Sequence, residues 1–301
     1  MATFRATAPE LLEKRCRRVY FNEYRMIKPI YTKVANIIKS SAAFEDVVDM
    51  SGVGTLRTKH EGTPVSYDDP IQGTRKRTVH VTYALGFRVT MEMQQDERFG
   101  IINRMPADLG DATRDHKERI FFGVFNGAFG TTITGLDGLA LCSSAHTLLK
   151  STATASNIAS PGVALSVSGL ESALTNFSLT VNDSARYVSL TPSMLLVHPN
   201  EAHNVVQLLK TQKEPFTAEN QVSTVSTSQT GVTDLQSPYL TDTDAWFLLS
   251  SKRQHQVIWY DRMPVTFSNS KDSQTKDSLF DALYRASVTF DGWRGVYGSQ
   301  P

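Results

Sequence analysis

The sequence predicts an α+β fold, because it combines one long amphipathic helix with two long strands. Apolar residues recur every three or four positions from Met105 to Ala128, which is typical of a helix that buries one face. Segments 79–93 and 279–290 alternate apolar and polar residues, which is typical of half-buried strands. The region 165–275 alternates strand and helix patterns and predicts a second compact unit. Elements this long favour a subunit that completes its core against neighbours.

The composition indicates a soluble globular protein. The 301 residues are 40% apolar and 20% charged, and the net charge of +1 does not indicate a general polyanion binder. The two cysteines, Cys16 and Cys142, form no disulfide framework and fit a reducing compartment. The sequence has neither an apolar signal region nor a run of about 18 apolar residues, so we expect a cytoplasmic product and no membrane contact.

The N-terminal segment 1–40 carries an excess of positive charge. Nine cations stand against three carboxylates, which gives this segment a charge of +6. The helical pattern over 9–40 is divided by Pro29, which predicts a jointed arm rather than one helix. Its narrow apolar stripe suits either a solvated helix on the core or an arm that docks on a neighbouring subunit. The residues expected to make the arm's contacts are Leu11, Leu12, Arg15, Arg17, Arg18 and Val19.

Segment 51–78 is polar, rich in Gly and Pro, and charged with both signs. It precedes a strand pattern and is too long for an ordinary connection, so it predicts a two-stranded excursion with charges at its tip. The charged residues assigned to this tip are Arg57, Lys59, Glu61, Asp68, Asp69, Arg75, Lys76 and Arg77.

The long helix is predicted to begin near Pro106, which suits a first turn, and to end at Gly130. We expect its apolar face to pack on the final strand. The predicted core residues are Phe121, Val124 and Phe125 on the helix with Tyr284, Ala286 and Val288, or their opposite-face neighbours Leu283 and Leu279, on the strand.

The second compact unit is predicted to contain two short capped helices. Ser168 is expected to cap the first and Asn200 the second, since both side chains accept hydrogen bonds from helix N-termini. The segments SMLLVHP, AWFLLSS and QVIWYD predict strands around them.

Five blocks of sequence, in order, resemble the major capsid proteins of tailed phages, which have the Hong Kong 97 type fold, and most closely the Mu-like major head subunits. The blocks are FRVTMEMQQDERFGIINRMPADLGDATRDHKERIFFGVF (87–125), LDGLALCSSAHTL (136–148), TPSMLLVHPNEAHNVVQLLKT (191–211), SPYLTDTDAWFLLSS (237–251) and LFDALYRASVTFDGWRGVYGS (279–299). They cover most of residues 80–300, whereas the first 50 residues are not covered.

The resemblance implies a domain organisation for the whole chain. The implied parts are an N-terminal arm (1–50), an extended loop (51–85), a peripheral domain with a spine helix (86–164), an axial domain (165–275) and a C-terminal strand that returns to the peripheral domain (276–301).

The resemblance also implies a structural function. The chain would be a capsid subunit that self-assembles as hexamers and pentamers into an icosahedral phage head around double-stranded DNA. Implied partners are scaffold, portal and decoration proteins, and the implied location is the virion capsid, assembled in the host bacterial cytoplasm. No cofactor and no enzymatic activity are expected. The alternatives are an encapsulin-like nanocompartment shell and a Cys/His hydrolase.

Within such a shell, the charged loop tip is expected to meet complementary charges on an adjacent subunit. Burial of the arm's apolar stripe outweighs screened phosphate contacts. We therefore expect the arm to lie against other subunits and to make at most non-specific contacts with packaged DNA.

Cys142 and His146 are the strongest candidates for a catalytic pair, because a thiol and an imidazole lie four positions apart. A Cys–His nucleophile also needs a third orienting group and a family-specific context, and neither is visible in this Ser-rich segment. The resembled family keeps a histidine here in proteins that are not enzymes. We interpret the segment as a structural loop.

Three other motifs are weaker. His198 and His203 do not share a helix face, because Pro199 separates His198 from the helix, so they predict no metal site. The DTD motif at 242–244 fits a turn better than a cation site. The GVG motif at 52–54 lacks the Lys-Ser/Thr of a phosphate loop. Lys59 lies in the loop where some capsids of this fold crosslink lysine to asparagine, but no partner is identified and no crosslink is assigned.

Overall fold

The structure is a computed structural model that describes residues 8–96, 100–210 and 231–301, and the side chains of residues 8–11 and Gln95 lie outside its description. Most of the predicted polar segment 211–237 therefore falls outside the described residues. The helices are α1 (Ala8–Met26), α2 (Tyr31–Val34), α3 (Met91–Asp96), α4 (Ile101–Asn126), α5 (Val167–Leu179), a 3-10 turn (Pro199–Glu201) and α6 (Ala202–Lys210).

The described strands form two four-stranded sheets and two hairpins. The strands are β1 (Asn36–Lys39), β2 (Phe44–Met50), β3 (Gln72–Val79), β4 (Val81–Val89), β5 (His146–Leu148), β6 (Ser151–Ala155), β7 (Pro192–Val197), β8 (Thr233–Gln236), β9 (Trp246–Ser250), β10 (Val257–Lys271), β11 (Ser278–Phe290) and β12 (Val296–Ser299). The sheets have the orders β1-β10-β11-β4 and β12-β9-β7-β8, and the hairpins pair β2 with β3 and β5 with β6.

The first sheet is built on the final long strand. β11 has 13 residues, as its alternation predicts, and pairs antiparallel with both β10 and β4. The strand predicted over 79–93 is divided, because His80 separates β3 from β4 and Met91 begins a helix. The His80 ring is buried and its Nδ1 lies 2.9 Å from the Ser287 hydroxyl on β11, at the position where the chain passes from the hairpin to the sheet.

Helix α4 is confirmed as a long helix, but its ends differ from those predicted. It begins at Ile101 after Gly100, whose φ of 72° lies in the left-handed region, and it ends at Asn126 rather than Gly130. Pro106 lies in the second turn rather than the first. The helical pattern continues upstream of the proline because Ile102 is also buried and packs on the core.

The central core lies between α4 and both large sheets. Phe121, Val124 and Phe125 are at most 1% exposed and share one cluster with Tyr284 and Ala286 of β11. Val288 packs partly buried against that cluster, whereas Leu279 and Leu283 of the opposite face do not belong to it. The predicted packing of helix on strand is thereby observed.

The second sheet is buried on both faces. Leu196 and Phe247 point into the central core, while Leu195 and Trp246 join a second cluster with α5 and α6. Burial on both sides explains why β9 is apolar at nearly every position rather than alternating.

The caps and the sheet memberships correct several sequence-based expectations. Ser166, not Ser168, caps α5 by accepting from the Gly169 N–H, and His198, not Asn200, precedes the 3-10 turn and accepts from the Asn200 N–H. β10 pairs with β11 in the first sheet, although the predicted axial unit runs to residue 275, and β12 pairs with β9 in the second sheet. Alternation identifies a strand, but it does not identify the neighbour that completes its hydrogen bonds.

Candidate assembly surfaces

The charged excursion is a hairpin whose outer face combines apolar and charged side chains. β2 and β3 run antiparallel with Phe44 opposite Val79 and Val48 opposite Arg75. Large apolar side chains stay exposed on this face, including Val79 at 59% and Met50 at 63%. The hairpin begins at residue 44, seven residues before the predicted boundary at 51. Isolated chains rarely leave such an apolar face on a projecting hairpin without a partner.

The charged residues assigned to the loop tip divide into three groups. Arg57, Lys59, Glu61 and Asp69 are exposed in the irregular segment between the strands. Asp68 accepts from the Gly54 N–H at 2.6 Å and pairs with Lys150 at 2.9 Å, and these bonds hold the pKa of Asp68 below its ordinary value. The remaining three, Arg75, Lys76 and Arg77, lie on β3 and not at the tip, which corrects the sequence-based placement.

The three cations of β3 contact their own chain. The guanidinium groups of Arg77 and Arg75 bind Asp46 on the facing strand and lower the pKa of that carboxyl to about 2. Lys76 points to the opposite side of the hairpin, where its Nζ donates to the Phe290 carbonyl oxygen at 2.7 Å. Alternation along β3 separates these roles, since successive side chains point to opposite faces.

The basic arm packs on its own long helix. Cys16 and Tyr20 of α1 are buried against α4, with the Tyr20 hydroxyl donating to Thr113 Oγ1 at 3.0 Å. Leu12 packs partly buried against the same cluster, and Val19 is half-buried. The predicted reason for docking on another subunit, an otherwise exposed stripe, therefore does not hold for these side chains or for Val34, which is fully buried. It does hold for Ile37 and Ile38 of the same stripe, which are 46% and 39% exposed.

The cationic arm residues Arg15, Arg17 and Arg18 are exposed, and Leu11 lies outside the residues whose side chains are described. The break at Pro29 is confirmed, because α1 ends at Met26 and α2 begins at Tyr31. The helical pattern predicted as far as residue 40 is wrong beyond Val34, because Asn36–Lys39 is strand β1, which pairs with β10.

Two charged residues of α4 hold the arm in place, and the sequence pattern did not single them out. The Glu118 carboxylate accepts from the backbone N–H groups of Ile30 and Tyr31, the latter at 3.0 Å. Lys117 Nζ donates to the Tyr24 hydroxyl at 2.9 Å, and burial lowers the pKa of Lys117 to about 8. Lys117 and Glu118 lie beside the apolar residues of the α4 pattern. Charged residues on a buried helix face need partners, so this position could have indicated their role.

Cys142 and His146 do not form a nucleophilic pair. His146 Nδ1 lies 2.5 Å from Asp137 and Nε2 lies 2.9 Å from Asn157 Oδ1, so both ring nitrogens are engaged away from sulfur. Burial raises the pKa of the Cys142 thiol far above its ordinary value and keeps it protonated. The segment is a loop, but it is buried: His146 is fully enclosed and stacks on Trp293 with ring centroids 4.5 Å apart.

Asn157 connects this buried loop to the C-terminal segment. Its Nδ2 donates to the carbonyl oxygens of Leu141 at 2.8 Å and Val296 at 3.0 Å, while its Oδ1 accepts from the Ser143 N–H at 2.9 Å. No sequence motif indicates this residue, because its partners are the His146 ring and backbone groups from separate parts of the chain.

The DTD motif forms a turn. The Asp242 carboxylate accepts from the N–H groups of Asp244 and Ala245, which forms the turn before β9. Among the described residues, no group of three or more His, Cys, Asp or Glu side chains is arranged to hold a metal ion. Over the same residues, no helix combines the length and apolarity that a membrane crossing requires.

A long helix on a long four-stranded sheet, a projecting hairpin and a second sheet covered by helices define the Hong Kong 97 type of capsid subunit. A family model described as phage capsid protein matches residues 74–299. The chain belongs to this family and is a structural capsid subunit. No curated protein matches the chain. The predicted likeness to Mu-like head subunits stays a prediction.

Solved structures confirm the fold at low sequence identity. The mature capsid of bacteriophage PhiM1 matches with a TM-score of 0.61 and 11% identity, covering 91% of this chain and 87% of that chain. The capsid of cyanophage P-SCSP1u gives a TM-score of 0.60 at 10% identity, covering 90% and 87%. A virus-like particle from Pyrococcus furiosus gives 0.52 at 8% identity, covering 95% and 98%.

Proposed function

We propose that the chain assembles with copies of itself, as hexamers and pentamers, into a closed icosahedral phage head around double-stranded DNA. The observation that carries this proposal is the amount of apolar side chain that the folded subunit leaves exposed on its elongated elements. These exposed side chains are Phe44, Val48, Met50 and Val79 on the hairpin and Val81 and Leu85 on β4.

The edge of the first sheet supports the same proposal. Among the described strands, β4 pairs only with β11, which leaves a row of backbone hydrogen-bonding groups along its other side. Leu85 is 58% exposed and lines a recess beside His116 of α4 and Tyr284 of β11. Neighbouring copies of the subunit would bury this edge and the hairpin face together.

The Mu-like blocks in the sequence favour a phage head over an encapsulin-like nanocompartment shell. The contacts of Cys142 and His146 support a structural rather than a hydrolytic role. Scaffold, portal and decoration proteins are the further partners proposed, with assembly in the host bacterial cytoplasm and contact with DNA that is non-specific.

Electron microscopy of the purified full-length protein tests the proposal. Closed shells or six- and five-membered rings are expected, and shells that protect duplex DNA from nuclease would support the phage head over the nanocompartment. Dispersed monomers at high protein concentration would contradict it. Protein cargo in place of DNA would support the nanocompartment.

The exposed loop charges give a second test of the proposed contact between subunits. Reversal of Arg57 and Lys59 to Glu should reduce shell yield, because both cations are exposed. The charge of Arg57 contributes to the lowered pKa of Asp68, but neither cation forms an ion pair with a described carboxylate. A second variant, with Arg75 and Arg77 reversed to Glu, serves for comparison. It also breaks the ion pairs with Asp46 within the hairpin, so its loss of shell yield would not report on contacts between subunits alone. Normal shell yield from the first variant, with a folded subunit, would remove the loop tip from the proposed interface.

A further inference from the structure

Helix α1 presents an outward face that is rich in cations. Five of the exposed cations lie on the helix and the sixth, Lys28, follows its end at Met26, while Asn22 and Met26 are exposed beside them. The cations are Lys14, Arg15, Arg17, Arg18, Arg25 and Lys28.

The opposite face of α1 is fixed on α4, so the cationic face has one orientation. Tyr20 is fully buried, and Gly110 of α4 lies so close that a Cβ there would come within 2.8 Å of the Tyr20 carbonyl oxygen. Arg114 donates to the Glu23 carbonyl oxygen at 3.2 Å, which adds a polar contact near the C-terminal end of α1. Helix α1 is therefore packed against α4 and is not a free tail.

The cations of this face have no carboxylate partner among the described side chains, since none of the six forms an ion pair there. Arg17 and Arg25 instead lie over the Phe21 ring, at 5.9 Å and 5.4 Å from its centroid. These contacts limit the motion of two guanidinium groups while leaving their N–H donors available.

The cationic surface continues past the end of α1 into a small recess. Arg25 and Lys28 line this recess together with Arg114 and Lys117 of α4. Carboxylates also lie near this recess: Asp111 pairs with Arg114 at 2.7 Å, and the Glu118 carboxylate binds the backbone N–H groups of Ile30 and Tyr31. Among the lining cations, Arg25 and Lys28 form no ion pair with a described carboxylate.

A second copy of the chain does not offer a matching acidic face on its long helix. The exposed carboxylates of α4 are already paired within one turn: Asp108 with Arg104, Asp111 with Arg114 and Asp115 with Arg119. A phosphate backbone, in contrast, carries unpaired negative charge at a regular spacing, and guanidinium groups bind phosphate bidentately. From Lys14 to Arg25 the helix spans about 16 Å, which is comparable to several successive phosphates.

We propose that the outward face of α1 is a surface that binds the phosphate backbone of duplex DNA without reading its sequence. This rests on the proposed function, in which the shell encloses double-stranded DNA, and it changes the role expected for the arm. The apolar side chains of α1 that pack on α4 hold this helix on its own subunit, and its outward cations bind the DNA.

The test compares two charge-removing variants of the full-length protein. Arg15→Gln/Arg17→Gln/Arg18→Gln removes three cations of α1, and Arg253→Gln/Lys271→Gln/Lys276→Gln removes three exposed cations elsewhere. Binding to a fluorescent duplex is measured by anisotropy over about 50–200 mM salt. The α1 variant should bind at least about tenfold more weakly and lose about three units of the slope of log affinity against log salt, whereas the control variant should match wild type.

A charge-conserving variant and a second polyanion provide further controls. Arg15→Lys/Arg17→Lys/Arg18→Lys retains the charge and should retain most of the salt dependence, and thermal melting verifies that each variant is folded. An unchanged slope in the α1 Gln variant, or an equal loss in the control variant, would overturn the proposal. Binding of poly-glutamate as tight as that of DNA and equally sensitive to the α1 variant would also overturn it, in favour of an acidic protein partner.

Microscopy of the same variants separates this proposal from the proposed function. Shells that form normally from the α1 Gln variant but protect less DNA would support both. DNA binding that depends on α1 in a protein that forms no shells would support the surface and contradict the shell.

Discussion

The hairpin of β2 and β3 and the long helix α4 are both elongated, but they are stabilised in different ways. Buried aromatic and aliphatic side chains hold α4, as illustrated by Phe125, which is 1% exposed and lies 5.3 Å from the Phe247 ring. The hairpin is held on the body by a few polar contacts, including Lys76 to the Phe290 carbonyl oxygen and Lys150 to Asp68.

The comparison shows that one chain divides its apolar residues between two purposes. Those of α4 are buried within the subunit and determine its stability. Those of the hairpin's outer face stay exposed in the subunit, so removing them should change assembly far more than folding. Substitutions in α4 should therefore lower the stability of the subunit, whereas substitutions on the hairpin's outer face should lower shell yield with little change in stability.

The largest effect is expected at Phe125. Phe125→Ala should lower the free energy of unfolding by about 3–5 kcal/mol, because it removes a buried ring and leaves a cavity. Urea unfolding of the isolated subunit measures this. A midpoint equal to that of wild type would show that the core does not depend on this face of α4.

Protonation of His255 should give the next largest effect. This ring lies beneath the arm, and burial, with a smaller contribution from the charge of Lys252, lowers the pKa of His255 from 6.5 to about 4. A lowered folded-state pKa means that its stabilising contribution is complete above pH 6.5 and is lost as the pH falls towards 4. The full loss is about 3 kcal/mol.

Chemical unfolding at several pH values checks this expectation. His255→Asn should reduce the decline between pH 6.5 and 4, although burial also lowers the pKa of His80 and of His116, so part of the decline should remain. His60→Asn, in the exposed loop, is the control for a His-to-Asn substitution. A decline as steep in His255→Asn as in wild type would assign the pH dependence to other groups.

A smaller, local effect is expected where the hairpin joins the body. Lys76→Met removes the hydrogen bond to Phe290 and should weaken the docking of the hairpin by about 1–2 kcal/mol. Hydrogen exchange should become faster for the amides of β2 and β3 but not for those of β11. Lys59→Met is the matched control, and equal protection in both variants would show that Lys76 does not hold the hairpin.

The smallest effect on stability is expected on the hairpin's outer face. Val48 is 39% exposed, so Val48→Ser should change the free energy of unfolding by less than about 0.5 kcal/mol. Shell yield by electron microscopy should nevertheless fall, because the substitution removes apolar area from the proposed interface. Unchanged shell yield would show that this face of the hairpin does not contribute to assembly, and the contrast drawn with α4 would then not hold.

The sequence predicted the elements whose periodicity is strong and local. The three-and-four spacing predicted the long helix, and alternation predicted β11 together with its core residues Tyr284 and Ala286. It misplaced the helix ends, because Pro106 suits a first turn but does not prevent the helix from starting five residues earlier. It also placed Arg75 and Arg77 at a tip, since charge alone does not distinguish strand from loop.

The sequence by itself determined the α+β class, the break at Pro29 and the phage capsid resemblance, because each depends on the order and spacing of residue types. Only the tertiary structure decided that β10 joins the first sheet and that the Glu118 carboxylate accepts from the backbone N–H at the start of α2. It also decided that the His146 ring contacts Asp137 and Asn157 rather than Cys142. Strand partners and buried polar contacts join residues far apart in the chain, and local pattern carries no information about which distant groups will meet.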